Sequence, residues 1–169
     1  MSTIRRFTIS IGFALLTLLG VPRSFAYQVN PTFVRVPTTS DQVSGSTVID
    51  GSKGGSLTVG RFTVNVPKGA YIGKATVSIQ APDPTTLRCE LGISGTRSIL
   101  GFLKPVTLQT DCRGAVDVDP SNLQVIWFNE AQSLWVLVPN TILDLKLTRM
   151  LTPLWHFSQY GVVDGKAGW

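Results

Sequence analysis

Between residues 54 and 70 the chain alternates apolar and polar positions in two phases, Leu57 and Val59 keeping one and Phe62, Val64 and Val66 the other. A repeat of two is what a strand with one buried face requires. A change of phase obliges the chain to bend, bulge or pass between sheets at Gly60 and Arg61. Pro67 and Gly69 then supply turn chemistry. The alternation returns at Ala75, Val77, Ile79 and Ala81, ahead of Pro82 and Pro84. Shorter strands are expected at 87–93 and at 104–110, where the proline sits at the start and its missing N–H harms a sheet least. Two apolar runs, 123–128 and 134–138, are separated by a connection of hairpin length. Trp127 and Trp135 are expected to face inward across that hairpin. Leu143, Leu145 and Leu147 predict a further strand, and Pro153 breaks the chain before a last one at 154–163. In that last strand Trp155 and Phe157 would share one face, His156 and Ser158 the other. The pattern predicts an all-β domain of short strands, with a polar, proline-bearing arm or linker at 27–46 before it and a tail at 164–169.

The first 26 residues read differently. Arg5 and Arg6 precede an apolar run from Phe7 to Val21, and Ser24-Phe25-Ala26 offers small residues where a signal peptidase cuts. The run is short and is followed at once by Pro22 and Arg23, so a cleaved N-terminal signal peptide is expected at 1–26 rather than a membrane span. Residues 27–169 would then be secreted or periplasmic, with no membrane span. Losing Arg5, Arg6 and Arg23 leaves 12 of the 15 basic residues against all 10 acidic ones, a net charge of +2 in place of +5. No basic stripe with interleaved aromatics is present, so neither nucleic acid nor a membrane surface is the expected partner.

Export changes the meaning of the two cysteines. Cys89 and Cys112 are an even pair in a chain expected to meet an oxidising compartment, which predicts a disulfide contributing about 3 kcal/mol. A metal site would need further soft or imidazole ligands, and the chain has one histidine far away in sequence, so no metal and no cofactor are expected. Asp117 and Asp119 read as solvated turn residues, because no calcium loop surrounds them. There is no nucleophile elbow, phosphate loop or second histidine to support a multi-turnover enzyme.

One ordered set of short motifs stands out: Gly-Gly-Ser-Leu-Thr-Val from Gly54, Val-Pro-Lys-Gly-Ala from Val66 and Lys-Pro-Val-Thr-Leu from Lys104. Trp-Phe-Asn-Glu from Trp127, Leu-Trp-Val-Leu from Leu134 and a closing His-Phe-Ser-Gln-Tyr from His156 complete it. Together they resemble the ZU-five domain of zonula occludens proteins, netrin receptors and ankyrins, over about 47–163. The resemblance implies an antiparallel β-sandwich at 47–163 used as a binding or scaffolding module. No partner domain, death domain or ankyrin repeat accompanies it here, so cytoskeletal and death-signalling roles do not transfer. It also implies one chemical possibility, since some members cut themselves within a His-Phe-Ser sequence, matched here by His156, Phe157 and Ser158. The Ser158 hydroxyl would attack the Phe157 carbonyl in an N-to-O acyl shift, with His156 taking the proton. In a regular strand those two side chains stand about 6.6 Å apart, too far for a direct hydrogen bond. The expectation is therefore an exported, non-catalytic binding or structural module for an unknown protein or cell-surface partner. Self-processing is the alternative, and carbohydrate binding through Trp127, Trp135 and Trp155 a further one.

Overall fold

A computed structural model describes residues 27–28, 30–38, 43–95, 101–146 and 148–166, so the expected signal peptide at 1–26 lies outside the described residues. The strands in chain order are β1 (Tyr27–Gln28), β2 (Ser44–Asp50), β3 (Gly55–Val59), β4 (Phe62–Val66), β5 (Lys74–Gln80) and β6 (Arg88–Ser94). Then come β7 (Val106–Asp111), β8 (Leu123–Asn129), β9 (Leu134–Leu137), β10 (Ile142–Asp144), β11 (Arg149–Leu154) and β12 (Gln159–Asp164). They form two antiparallel sheets, ordered β1-β9-β8-β12-β6-β5-β2 and β10-β11-β7-β4-β3. A single 3-10 turn, Pro120–Asn122, is the only helical element among the described residues. The fold is thus the expected all-β, antiparallel sandwich.

The phase change at Gly60 and Arg61 is a reversal rather than a passage between sheets. Val59 pairs with Phe62, so two residues turn the chain back as a hairpin, and Gly60 takes the positive φ of 53° that the turn needs. Val59, Val64 and Leu108 from one sheet meet Val77, Ile79 and Val125 from the other in the interior. Burying each such side chain contributes about 1.5–3 kcal/mol.

The stretch before β2 is extended, and it is packed. Val34 donates its N–H to the Val162 carbonyl and accepts from Leu87, both at 2.9 Å, which lodges it between β12 and the start of β6. Gly161 makes room for this strap: a Cβ there would lie 2.2 Å from the Phe33 ring. Farther along, the buried Arg61 guanidinium donates to the carbonyls of Pro37 (2.9 Å), Arg113 (2.8 Å) and Asp111 (3.2 Å). A guanidinium carries five donors in a fixed fork, which lets one side chain tie three backbone segments together.

Four expectations are corrected. Trp135 pairs with Phe128, not with Trp127, so the two tryptophans face opposite sides of the sheet. Trp127 packs against the interior, whereas Trp135 joins Ile126, Val163 and Phe33 in a small cluster on the outer face, with Arg88 over both aromatic rings. The strand expected through Leu143, Leu145 and Leu147 is the three-residue β10, Leu145 already lies in an exposed turn, and Leu147 lies outside the described residues. Pro153 does not break the chain but sits inside β11, where β10 has ended opposite Leu151, so its missing N–H costs little. The single strand expected at 154–163 is accordingly the end of β11, a turn at 155–158, and β12. Lastly, Cys89 and Cys112 are free, so the expected bridge is not formed. Cys89 lies in β6 of the seven-stranded sheet, while Cys112 follows β7 of the five-stranded one, and both are buried in the interior. Cys112 is held by its N–H to the Thr148 carbonyl (2.8 Å) and by its thiol to the Thr110 carbonyl (3.6 Å).

Candidate functional site

The turn between β11 and β12 brings His156, Phe157 and Ser158 to one end of the sandwich, next to the end of β8. Phe157 turns inward and meets the buried Phe102 edge to face, ring centroids 4.9 Å apart. Ser158 donates its hydroxyl to the Phe128 carbonyl at 2.8 Å, and its own carbonyl accepts the Leu91 N–H at 2.9 Å. His156 lies edge-on to Trp127 with centroids 4.5 Å apart, and its main-chain carbonyl accepts the Tyr160 hydroxyl at 2.7 Å. Its Nε2 is shielded from water without a hydrogen-bond partner. Desolvation holds the imidazole below its ordinary pKa and pushes the Tyr160 phenol well above its own, the neighbouring Cys89 adding to the latter. The structure therefore groups the three residues but points the serine hydroxyl at Phe128 rather than at the imidazole. Neither Phe157 nor Ser158 has a positive φ.

Beside His156 a cleft of about 130 Å³ opens, walled by Trp127, Pro139, Pro153, Trp155 and Tyr160. Sites that enclose a small molecule run to about 300–1,000 Å³, so this one has room for a ring or a single side chain at most. Its walls are aromatic and prolyl, which favours contact with an apolar or ring-shaped group. Of the three tryptophans weighed for sugar binding, Trp155 is 57% exposed and Trp127 partly so, while Trp135 is 5% exposed on the far face. They do not form a row.

The same end carries two residues that sequence reasoning missed. Ile72 is 86% exposed in the turn before β5, and Leu103 is 68% exposed in the segment before β7. Each is a large apolar residue embedded in turn chemistry beside a lysine, in Tyr71-Ile72-Gly73-Lys74 and Phe102-Leu103-Lys104-Pro105. A lone apolar side chain among turn formers is the signal that could have found them, because a turn tip has no interior to fill. The loops are knit together by main-chain bonds. Phe102 N–H donates to the Trp155 carbonyl and Leu103 N–H to the Ala70 carbonyl, both at 2.8 Å.

The thiols are remote from solvent, and burial pushes both up, Cys112 to about 12 with Asp111 adding to the effect. Neither is a nucleophile at neutral pH. Asp117 has a positive φ of 57°, and Asp119 caps the 3-10 turn by accepting from Ser121 N–H at 2.9 Å. Among the described residues no three His, Cys, Asp or Glu side chains converge on a metal position. Compared with known proteins, the chain matches no family model, no curated protein and no solved structure.

Proposed function

We propose that the chain is an exported, non-catalytic contact module that works through the end of its sandwich carrying the 67–73, 101–105 and 155–158 segments. The observation that carries this reading is the set of exposed apolar residues there, Ile72, Leu103 and Trp155, on three adjoining loops. Leaving such side chains in water is unfavourable, and a group of them at one end of a folded domain marks a surface that meets something else. A cleft too small to enclose a substrate fits the same reading. So does the ZU-five-like order of motifs, which implies a binding or scaffolding role.

Self-processing at the Phe157–Ser158 bond is the reading to be tested against it, since His156, Phe157 and Ser158 lie at this same end. The Ser158 hydroxyl is engaged by the Phe128 carbonyl, which weighs on the side of an intact chain. Sugar binding rests on Trp127 and Trp155 alone. Intact-mass spectrometry of the purified protein, stored and then treated with hydroxylamine, separates the first two readings. A single uncut chain is expected. A break before Ser158 that disappears in Ser158→Ala would replace the contact module with a self-processing domain.

A further inference from the structure

We infer that this end of the sandwich docks on an anionic lipid surface, against the expectation drawn from the sequence, where no basic stripe is visible; the inference rests on the contact-module reading and names its partner. Four of the chain's six lysines gather there: Lys53 between β2 and β3, Lys68 between β4 and β5, Lys74 at the start of β5, and Lys104 before β7. The acidic residues described at this end are Asp50 and Glu130, and the Asp50 carboxylate already accepts the Ser52 N–H (2.9 Å) and hydroxyl (2.7 Å). Asp83, Asp111, Asp117, Asp119 and Asp164 lie at the opposite end, where β5, β7 and β12 finish and β6 and β8 begin. That opposite end also holds Arg61, Arg113, Arg149 and Lys166, which ion-pair with Asp111, Asp144 and Asp119, so what marks the lysine-bearing end is that its lysines outnumber the acids described there.

The lysines and the apolar tips share one frame. Gly51 donates its N–H to the Gly73 carbonyl (2.8 Å) and Gly69 donates to the Gly51 carbonyl (2.7 Å), joining the Lys53 loop to the Ile72 loop. Lys104 Nζ donates to the Lys68 carbonyl at 2.9 Å, joining the latter to the Leu103 segment. Among the described residues neither Lys68 nor Lys104 is in an ion pair. Ile72, Leu103 and Trp155 are exposed one on each of the three loops. Exposed apolar side chains on loops that also carry lysines match the boundary between headgroups and acyl chains, where a Trp ring is at home and lysines reach anionic phosphates.

The test is cosedimentation of the purified protein with vesicles of phosphatidylcholine, with and without phosphatidylglycerol. Partition onto the phosphatidylglycerol vesicles is expected, falling steeply as salt rises, together with a blue shift of tryptophan emission that Trp155→Phe removes. Lys68→Gln with Lys104→Gln should weaken partition about 30-fold, near a factor of five for each lysine. Ile72→Asp with Leu103→Asp should weaken it at least about 10-fold, both positions being open enough to accept aspartate without unfolding. Leu145→Asp, exposed at the opposite end, should leave partition unchanged. Absence of partition onto anionic vesicles overturns the inference, as does partition that ignores the Ile72 and Leu103 changes. Sedimentation of the free protein as a dimer that those changes dissolve would also overturn it, by assigning the surface to a second copy of the chain. A chain cut before Ser158 would instead sink the contact-module reading, whatever the vesicles show.

Discussion

His156 is the chain's one histidine, and its surroundings give it a measurable signature. Its ring rests on Trp127 and near Tyr160, with Nε2 out of reach of water and of any partner, and desolvation lowers its pKa. A base with a lowered folded-state pKa takes its proton first in the unfolded chain. Stability is therefore full above the unfolded value of about 6.5 and falls as pH drops from there toward the folded one. Asp50, Asp83 and Asp119 have carboxyls held low, chiefly by hydrogen bonds from neighbouring Ser or Thr. Burial raises Asp111, but Arg113 outweighs it, with Arg61 nearby, and the carboxyl ends up low as well. None of these carboxyls competes in the same window. Thermal melts should thus show a lower Tm at pH 5 than at pH 7.5 in the native protein, and His156→Phe, which keeps an aromatic edge on Trp127, should flatten that slope. An equal decline in both proteins would remove the imidazole from the account. The sequence singles out this residue by its rarity and by the His-Phe-Ser motif. It could not show which way the Ser158 hydroxyl points, because that depends on Phe128, distant in sequence and adjacent only in the fold.

Among the elements, those with a local signal were legible and those that depend on a distant neighbour were not. The β3 and β4 strands follow from alternation within one short window, though the sequence leaves open whether Gly60 and Arg61 bend, bulge or cross, and the β8–β9 hairpin follows from two apolar runs joined by a connection of hairpin length. β11 was hidden by Pro153, a residue that forbids a central strand but is harmless where β10 stops short. The strap at 33–37 looks like a linker because its few apolar residues, Phe33, Val34 and Val36, find their partners in β12, β8, β9 and the start of β6. That contact can be tested at Gly161. A methyl group there would collide with the Phe33 ring, which also meets Trp135 edge to face at 5.1 Å, so relief of the clash disturbs the outer cluster. Gly161→Ala should cost about 1–3 kcal/mol in denaturant unfolding, as overpacking does. Pairing it with Phe33→Ala should bring back part of that loss, because the obstructing ring is gone. Strict additivity of the two changes would mean that the strap does not press on β12.

For the molecule as a whole, the interior closes over both cysteines from different sheets, which turns the thiols into reporters of global opening. Export and an even cysteine count predicted a bridge that is not formed: sequence records how many thiols there are, not whether two of them join. A bridge of about 3 kcal/mol would make a reducing agent lower Tm by roughly 10 °C in a domain of this size. With both thiols free and buried, dithiothreitol should leave Tm unchanged. An aromatic disulfide reagent should find no reactive thiol in the native protein at pH 8 and both of them in concentrated guanidinium, since the thiol pKa values are raised by burial that unfolding abolishes. Because each cysteine belongs to its own sheet, the two should become reactive together across the unfolding transition. Reaction of Cys112 well before Cys89 would mean that the five-stranded layer opens alone, and that the sandwich is two cooperative units rather than one.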